Sequence, residues 1–449
     1  MVEKSSSEQT PLGGVEFANG RALAERARRV IPGGAHTYAK GDDQWPVGSP
    51  PFIARGAGCH VWDLDGNEFI EYGMGLRAVT LGHAYAPVVE AVRAELAHGT
   101  NFVRPAPIEV ECAETFLRLV PTMEMVKFCK DGSTAVDGAI RLARAHTGRD
   151  MVAICADHPF FSTSDWFIGT TGMPAGIPGA VRQLVHKFRY NDLDSITQLF
   201  KQHPGRIACV LLEPMRIEEP LPQFLPGLKQ LCEREGALLV FDEMITGFRW
   251  HRSGAQHVYG VTPDLASFGK ALGNGFAISA LAGRREIMQL GGLDHERDRV
   301  FLLSTTHGAE THGLAAAIAT MHVYEREDVI GHLYRTGERL RAGVNRHVEA
   351  LGLQRTFQCV GRPCSLLYAT LDAAGKPSQE MRTVFMQEIV RRGILAPSFI
   401  HSYSHSPADI DYTIDVVGEA LQVYRNALRD GPARYLEGRP LKPVFRSRA

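Results

Sequence analysis

The chain has 449 residues, 44% hydrophobic and 22% charged, with a formal net charge of −1. That length exceeds one typical domain and predicts at least two packed units. A near-zero charge balance excludes the basic surface that a nucleic-acid or anionic-membrane partner needs. No apolar run approaches the roughly 20 residues that span a bilayer.

Met1 to Gly14 is polar and rich in Ser, without the apolar core of a signal peptide. It predicts a disordered tail over residues 1–20 and a cytoplasmic location. From Cys59 to Ile70 two apolar runs flank Asp65-Gly66-Asn67, which predicts a hairpin. Met151–Cys155, Ile207–Leu212 and Ala237–Phe241 are short apolar runs without alternation, as in strands covered on both faces. Between the last two, Leu228, Leu231 and Cys232 share one face of a helix over Pro226–Gly236. Alternating strands and helices predict an α/β fold with a mostly parallel sheet, whose ligands sit at the carboxyl ends of its strands. Helices are expected over Val329–Leu351 and Asp409–Leu428. The predicted organisation is an N-terminal segment (21–85), a large domain (86–325) and a small α+β domain (326–449). Eight cysteines are scattered without a C-x-x-C pair. They read as reduced core thiols, and no ligand spacing predicts a metal.

Three places carry chemistry. Asp131-Gly132-Ser133-Thr134 opens a helix on which Val136, Ala139, Ile140 and Ala143 recur at helical spacing. Free N–H groups, hydroxyls and the positive dipole end make a phosphate site there, although a plain N-cap explains the same residues. Asp242 ends a buried strand, where an Asp serves equally to cap a helix or hold a metal. Lys270 sits among Gly269, Ala271, Gly273 and Gly275. Small neighbours permit close approach of a ring, and burial there would lower the amine pKa. Taken together, the three suit pyridoxal 5′-phosphate: an amine for its aldehyde, a carboxylate for its ring nitrogen, a helix start for its phosphate. Ser304-Thr305-Thr306-His307-Gly308 reads from spacing alone as a polar loop. His307 and His312 read likewise.

The order Asp131-Gly132-Ser133-Thr134, Glu213-Pro214, Asp242-Glu243-Met244-Ile245-Thr246-Gly247-Phe248-Arg249, Pro263-Asp264-Leu265 and Ser267-Phe268-Gly269-Lys270 resembles class III pyridoxal-phosphate aminotransferases. Trp62-Asp63-Leu64-Asp65-Gly66, Leu81-Gly82-His83 and Gly254-Ala255-Gln256 resemble the glutamate-1-semialdehyde aminomutase branch. The resemblance covers roughly residues 25–430. It implies a fold-type I homodimer with active sites at the subunit interface. It implies Lys270 as the Schiff-base lysine and Asp242 as the ring-nitrogen partner. Gly132, Ser133 and Thr134 would hold the phosphate, with Thr305 reaching it from the neighbouring subunit. Phe160 would stack on the cofactor, Met244 would pack on its other face, and Glu213 joins the cofactor site.

Departures from that branch bear on the substrate. Phe160-Phe161-Ser162 replaces a usual Tyr-His-Gly. The stretch that holds a carboxylate-clamping Arg in the aminomutase is here His36-Thr37-Tyr38-Ala39-Lys40-Gly41-Asp42-Asp43. Phe399-Ile400-His401 stands where an acidic gate residue is expected. Lys is a poor substitute for a bidentate Arg, and carboxylates attract a polyamine. Tyr38, Lys40, Asp42, Asp43 and His401 are therefore the candidate substrate residues. The chain also resembles aminotransferases of aminoglycoside-antibiotic pathways. The expected reaction is transfer of an amino group from an amino-acid donor to an aldehyde or ketone of an amino sugar, such as a 6′-oxo sugar. An aminomutase or an epimerase on the same cofactor is the alternative.

Overall fold

The computed structural model describes residues 17–158, 160–215 and 217–446. Most of the expected tail therefore lies outside the described residues, and its last residues open a helix, Ala18–Val30. By packing, the chain forms two units: Gly75–Tyr334 with the chain end from Phe445, and the residues up to Met74 with Arg335–Val444. The divisions fall at 74/75 and 334/335, beside the 85/86 and 325/326 read from sequence.

The first unit is built on a seven-stranded sheet. Across it lie Met125–Cys129, Ser279–Gly283, Leu265–Phe268, Leu238–Asp242, Ile207–Leu212, Met151–Cys155 and Val185–Phe188. Ser279–Gly283 runs antiparallel to both neighbours, and the pairs from Leu265–Phe268 onward are parallel. Every residue of Ile207–Leu212 and Leu238–Asp242 is buried, the burial that produces non-alternating apolar strands. Helix Gly132–Thr147 lies against Ser279–Gly283, Leu265–Phe268 and Ile207–Leu212. It buries Val136, Ala139, Ile140 and Ala143, the stripe legible in the sequence. Helix Phe224–Glu235 ends at Gly236, whose φ of 63° is the left-handed cap that glycine supplies.

In the other unit, Ile53–Ala57, His60–Asp63 and Glu68–Glu71 pair antiparallel in turn, and Ile394–Leu395 adds a parallel edge. The hairpin falls where the sequence puts it. Asp63 Oδ1 accepts from the N–H groups of Asp65 (2.9 Å) and Asn67 (2.8 Å), an Asx-type turn. Helices Gln379–Val390 and Pro407–Asp430 bury Phe385, Ile389, Ile414 and Leu421 in this unit's core. All eight cysteines are free and all but Cys359 are buried. Burial pushes the Cys155 and Cys209 thiols up to about 12, so they stay protonated as core residues.

Candidate active site

Asp242 is the last residue of the buried strand Leu238–Asp242 and is 4% exposed. Its register partner on the neighbouring strand is Ser267. The Ser267 hydroxyl donates to Asp242 Oδ1 at 3.0 Å, and the Met244 N–H donates to the same oxygen at 2.9 Å. Oδ2 accepts no hydrogen bond among the described residues. Burial pushes the carboxyl upward. The Lys270 charge, the Met244 N–H and the Ser267 hydroxyl act against it.

Lys270 follows Leu265–Phe268 and opens the short 3₁₀ turn Lys270–Gly273. Its φ is 44°, a left-handed conformation that costs a non-glycine residue about 1–3 kcal/mol and concentrates at functional sites. The side chain is half-buried, less enclosed than the sequence suggests. Gly269 beside it is required sterically. A Cβ there would lie 2.4 Å from Ser279 Oγ and 2.6 Å from Met244 Sδ. A Cβ on Gly132 would lie 2.9 Å from the same sulfur. Met244 is thus wedged between the lysine loop and the start of helix Gly132–Thr147. Three sequence-distant segments converge on one thioether.

At that helix start, Asp131 is the N-cap and accepts from Thr134 N at 2.9 Å. The Thr134 hydroxyl also donates to the Asp131 carboxylate, at 3.0 and 3.1 Å. The amide and hydroxyl of Thr134 are therefore engaged in the cap, the other role its position offers. The N–H groups of Gly132 and Ser133 have no acceptor among the described residues, as expected of a first helical turn. Ser133 Oγ accepts from Thr163 N at 3.1 Å and keeps its proton to donate.

Two residues of this region were not read from the sequence. Asp137 accepts from Ser162 Oγ (2.9 Å), from Trp166 Nε1 (2.6 Å) and from Ser164 Oγ. It pins the loop after Phe160 to the helix. In the sequence it is an acid set between the apolar Val136 and Ala139. His158 Nδ1 accepts from Glu213 N at 3.1 Å, and both residues are buried. His158 follows Met151–Cys155 and Glu213 follows Ile207–Leu212, at the strand ends where ligands bind in such sheets. Phe160 is 43% exposed and packs edge-on against Phe167 at 5.6 Å.

Comparison with known families decides the assignment. Residues 43–355 match the model of Aminotransferase class-III. The chain belongs to the class III aminotransferases. It is a pyridoxal 5′-phosphate enzyme of fold type I. It is 35% identical over 423 residues to a glutamate-1-semialdehyde 2,1-aminomutase of Syntrophobacter fumaroxidans, covering 89% of this chain and 96% of that one. It is 30% identical over 426 residues to a 3-aminobutyryl-CoA aminotransferase of Cloacimonas acidaminovorans, covering 92% and 99%. The FumI protein of a Sphingopyxis species, solved in its PLP internal aldimine form, superposes with a TM-score of 0.84 at 29% identity, covering 94% and 98%.

The residues of this class III chain fit the cofactor. A buried carboxylate with one oxygen uncommitted suits a protonated ring nitrogen. Two bare N–H groups and a hydroxyl at a helix start suit a phosphate. Gly132 and Gly269 keep the space between them and Met244 free of side chains. Thr305 is exposed and makes a local turn bond to Gly308 N (3.3 Å). Its loop is held by Glu310, which accepts from His307 Nδ1 at 2.7 Å and pairs with Lys130.

The candidate substrate residues all lie in the other unit. Tyr38 is 65% exposed and Lys40 is exposed, in the 3₁₀ turn Tyr38–Lys40. Asp42 and Asp43 open the next turn. Asp42 is ion-paired with Arg28 at the surface. Asp43 Oδ1 accepts from Gln44 Nε2 at 3.1 Å. His401 is fully buried, with a Cβ on Gly337 reaching to within 2.8 Å of its ring.

Proposed function

We propose that this class III enzyme moves an amino group from an amino-acid donor to an aldehyde or ketone, with an oxidised amino sugar as the acceptor. The observation that carries the amino-transfer reading is the convergence of Asp242, Met244, Gly132 and Lys270 on one buried strand end. Pyridoxal phosphate supplies an electron-accepting ring and an aldehyde that carries nitrogen between substrates. Asp242 would keep the ring nitrogen protonated, while Ser267 and Met244 orient the carboxylate. Lys270 Nζ removes the proton from the nitrogen-bearing carbon of the donor, and in the second half-reaction returns one to the carbonyl carbon of the acceptor. Gly132, Ser133 and the positive end of their helix would hold the phosphate. Phe160 and Met244 would pack against the ring.

The acceptor reading rests on residues 36–43, which carry Lys40 and no arginine. A substrate carboxylate therefore lacks its bidentate partner in that stretch. We also propose a homodimer. Val103 is fully exposed, with Phe102 at 50% and Phe301 at 66%, and Asn101 bonds the Thr305 loop through Thr306 O. Exposed apolar side chains grouped around that loop are what a partner subunit would cover. No helix among the described residues is long and apolar enough to cross a membrane.

The 35% identity with an aminomutase over nearly its whole length favours a second reading, isomerisation of one substrate. Incubation of glutamate-1-semialdehyde and of oxidised amino sugars, each with ¹⁵N-glutamate, separates the two. The proposal expects ¹⁵N in an aminated sugar. Isomerised glutamate-1-semialdehyde without label from the donor, and no sugar product, overturns it.

A further inference from the structure

We propose that Phe445, in the C-terminal tail, is a positioning residue of the cofactor site. It braces the ring of Phe160 and, with it, the segment that leans on the start of helix Gly132–Thr147. The Phe445 ring lies over Phe160 at 6.4 Å with planes 22° apart. It meets Phe167 edge-on at 6.5 Å and 83°. Both arrangements are favoured aromatic geometries. Phe445 also packs on the core cluster that contains Phe161, Trp166 and Phe167. Further along, the tail backbone passes Gly172. A Cβ there would stand 3.9 Å from the Arg446 carbonyl carbon and 4.0 Å from Phe445 O. The tail thus touches both ends of residues 160–172, and by packing it belongs to this unit.

The braced segment reaches the phosphate end of the site. Thr163 N–H donates to Ser133 Oγ, and Asp137 gathers Ser162, Ser164 and Trp166. Those bonds fix the loop after Phe160 but leave the Phe160 ring itself to its neighbours. That ring is 43% exposed and has two aromatic neighbours among the described residues, Phe167 and Phe445. Removing Phe445 leaves it one. The inference rests on the reading of Phe160 as the ring that faces the cofactor. A tail that merely covered apolar surface would add stability without touching cofactor affinity, and the two roles are separable.

The experiment compares the full chain with Phe445→Ala and Phe445→Tyr. Hydrogen exchange of amides 161–171 is read in cofactor-free protein, and pyridoxal phosphate affinity by titration of its visible absorbance. Loss of one aromatic pair is expected to weaken cofactor affinity about three- to tenfold, with faster exchange confined to the segment. Phe445→Tyr is expected to restore both. Unchanged exchange in Phe445→Ala overturns the brace itself. Faster exchange with unchanged cofactor affinity overturns the link to the site, and with it the assignment of Phe160 to the cofactor ring. That second result leaves the roles of Lys270 and Asp242 standing.

Discussion

Ser267 and Asp242 face each other across neighbouring parallel strands, joined by a 3.0 Å hydrogen bond onto Asp242 Oδ1. The pair turns the carboxylate so that its second oxygen points away from both donors. A hydrogen bond to a charged group contributes about 1.5–3 kcal/mol. Ser267→Ala is expected to raise the Asp242 pKa further and to weaken pyridoxal phosphate binding by about tenfold or more. Titration of cofactor into the two proteins measures it, and equal affinities would refute the orienting role.

Gly269 stands against Ser279 Oγ and Met244 Sδ with no space for a methyl group. Gly269→Ala must displace the sulfur, the serine or the Lys270 turn. Overpacking of this kind costs about 1–3 kcal/mol. The expected outcome is a lowered Tm together with a lost cofactor band, because the lysine turn shifts with its neighbour. Trimming the sulfur in Gly269→Ala/Met244→Ala should recover part of the Tm. A single mutant as stable as the wild type would show that the crowding is absent in solution.

Asp137 holds three donors from the loop after Phe160. Asp137→Ala leaves three polar groups without their acceptor, Trp166 among them. Trp166 is 7% exposed. Its fluorescence should shift to the red and cofactor affinity should fall. An unshifted emission spectrum would mean that the loop does not depend on this residue.

His60 and Asp409 give a pH dependence of stability with a defined sign. His60 Nε2 lies 3.1 Å from Asp409 Oδ1, and Cys59 Sγ donates to Asp409 Oδ2 at 3.4 Å. The hydrogen bond to Asp409 raises the His60 pKa above its ordinary 6.5, with burial opposing and Glu68 assisting. Burial works to raise the Asp409 carboxyl, but the bonds from His60 and Ser406 prevail and hold it below the usual carboxylate range. A raised histidine contributes stability fully below pH 6.5, and this is lost as pH rises through its folded value. A depressed carboxylate contributes above pH 3.8, and this is lost as pH falls through its folded value. Both contributions coexist between those limits. The stability difference between wild type and His60→Asn, from urea unfolding at several pH values, should be largest near pH 5, about midway, and shrink above pH 7. A difference that grows with rising pH would contradict the pairing.

Local signals in the sequence mark some elements of the fold and leave others unmarked. Ile207–Leu212 and the Asp242 strand were legible because burial on both faces writes itself as unbroken apolar runs. The 59–70 hairpin was legible through its Asp-Gly-Asn turn. Ser279–Gly283 was not, because Ser, Ala, Leu, Ala and Gly carry no strand preference and are chosen for close packing: a Cβ on Gly283 would fall 2.5 Å from the Leu265 side chain. At Thr134 the sequence leaves two roles open, since the spacing that marks a phosphate-binding turn also marks an N-cap. The Arg28–Asp42 pair joins a helix to a turn beyond it, and its charge balance is set by tertiary placement that no spacing rule encodes. Asp137 and His158 were missed because each serves residues brought near only by the folded sheet.

The Lys270 amine is the group proposed to carry pyridoxal phosphate. Borohydride reduction of the cofactor-loaded protein, followed by proteolysis and mass spectrometry, reads that bond directly. The expected result is a phosphopyridoxyl mass on the peptide containing Lys270, absent in Lys270→Ala. The same mass on a different lysine, or an unmodified Lys270 peptide in protein that retains its visible cofactor band, would contradict it.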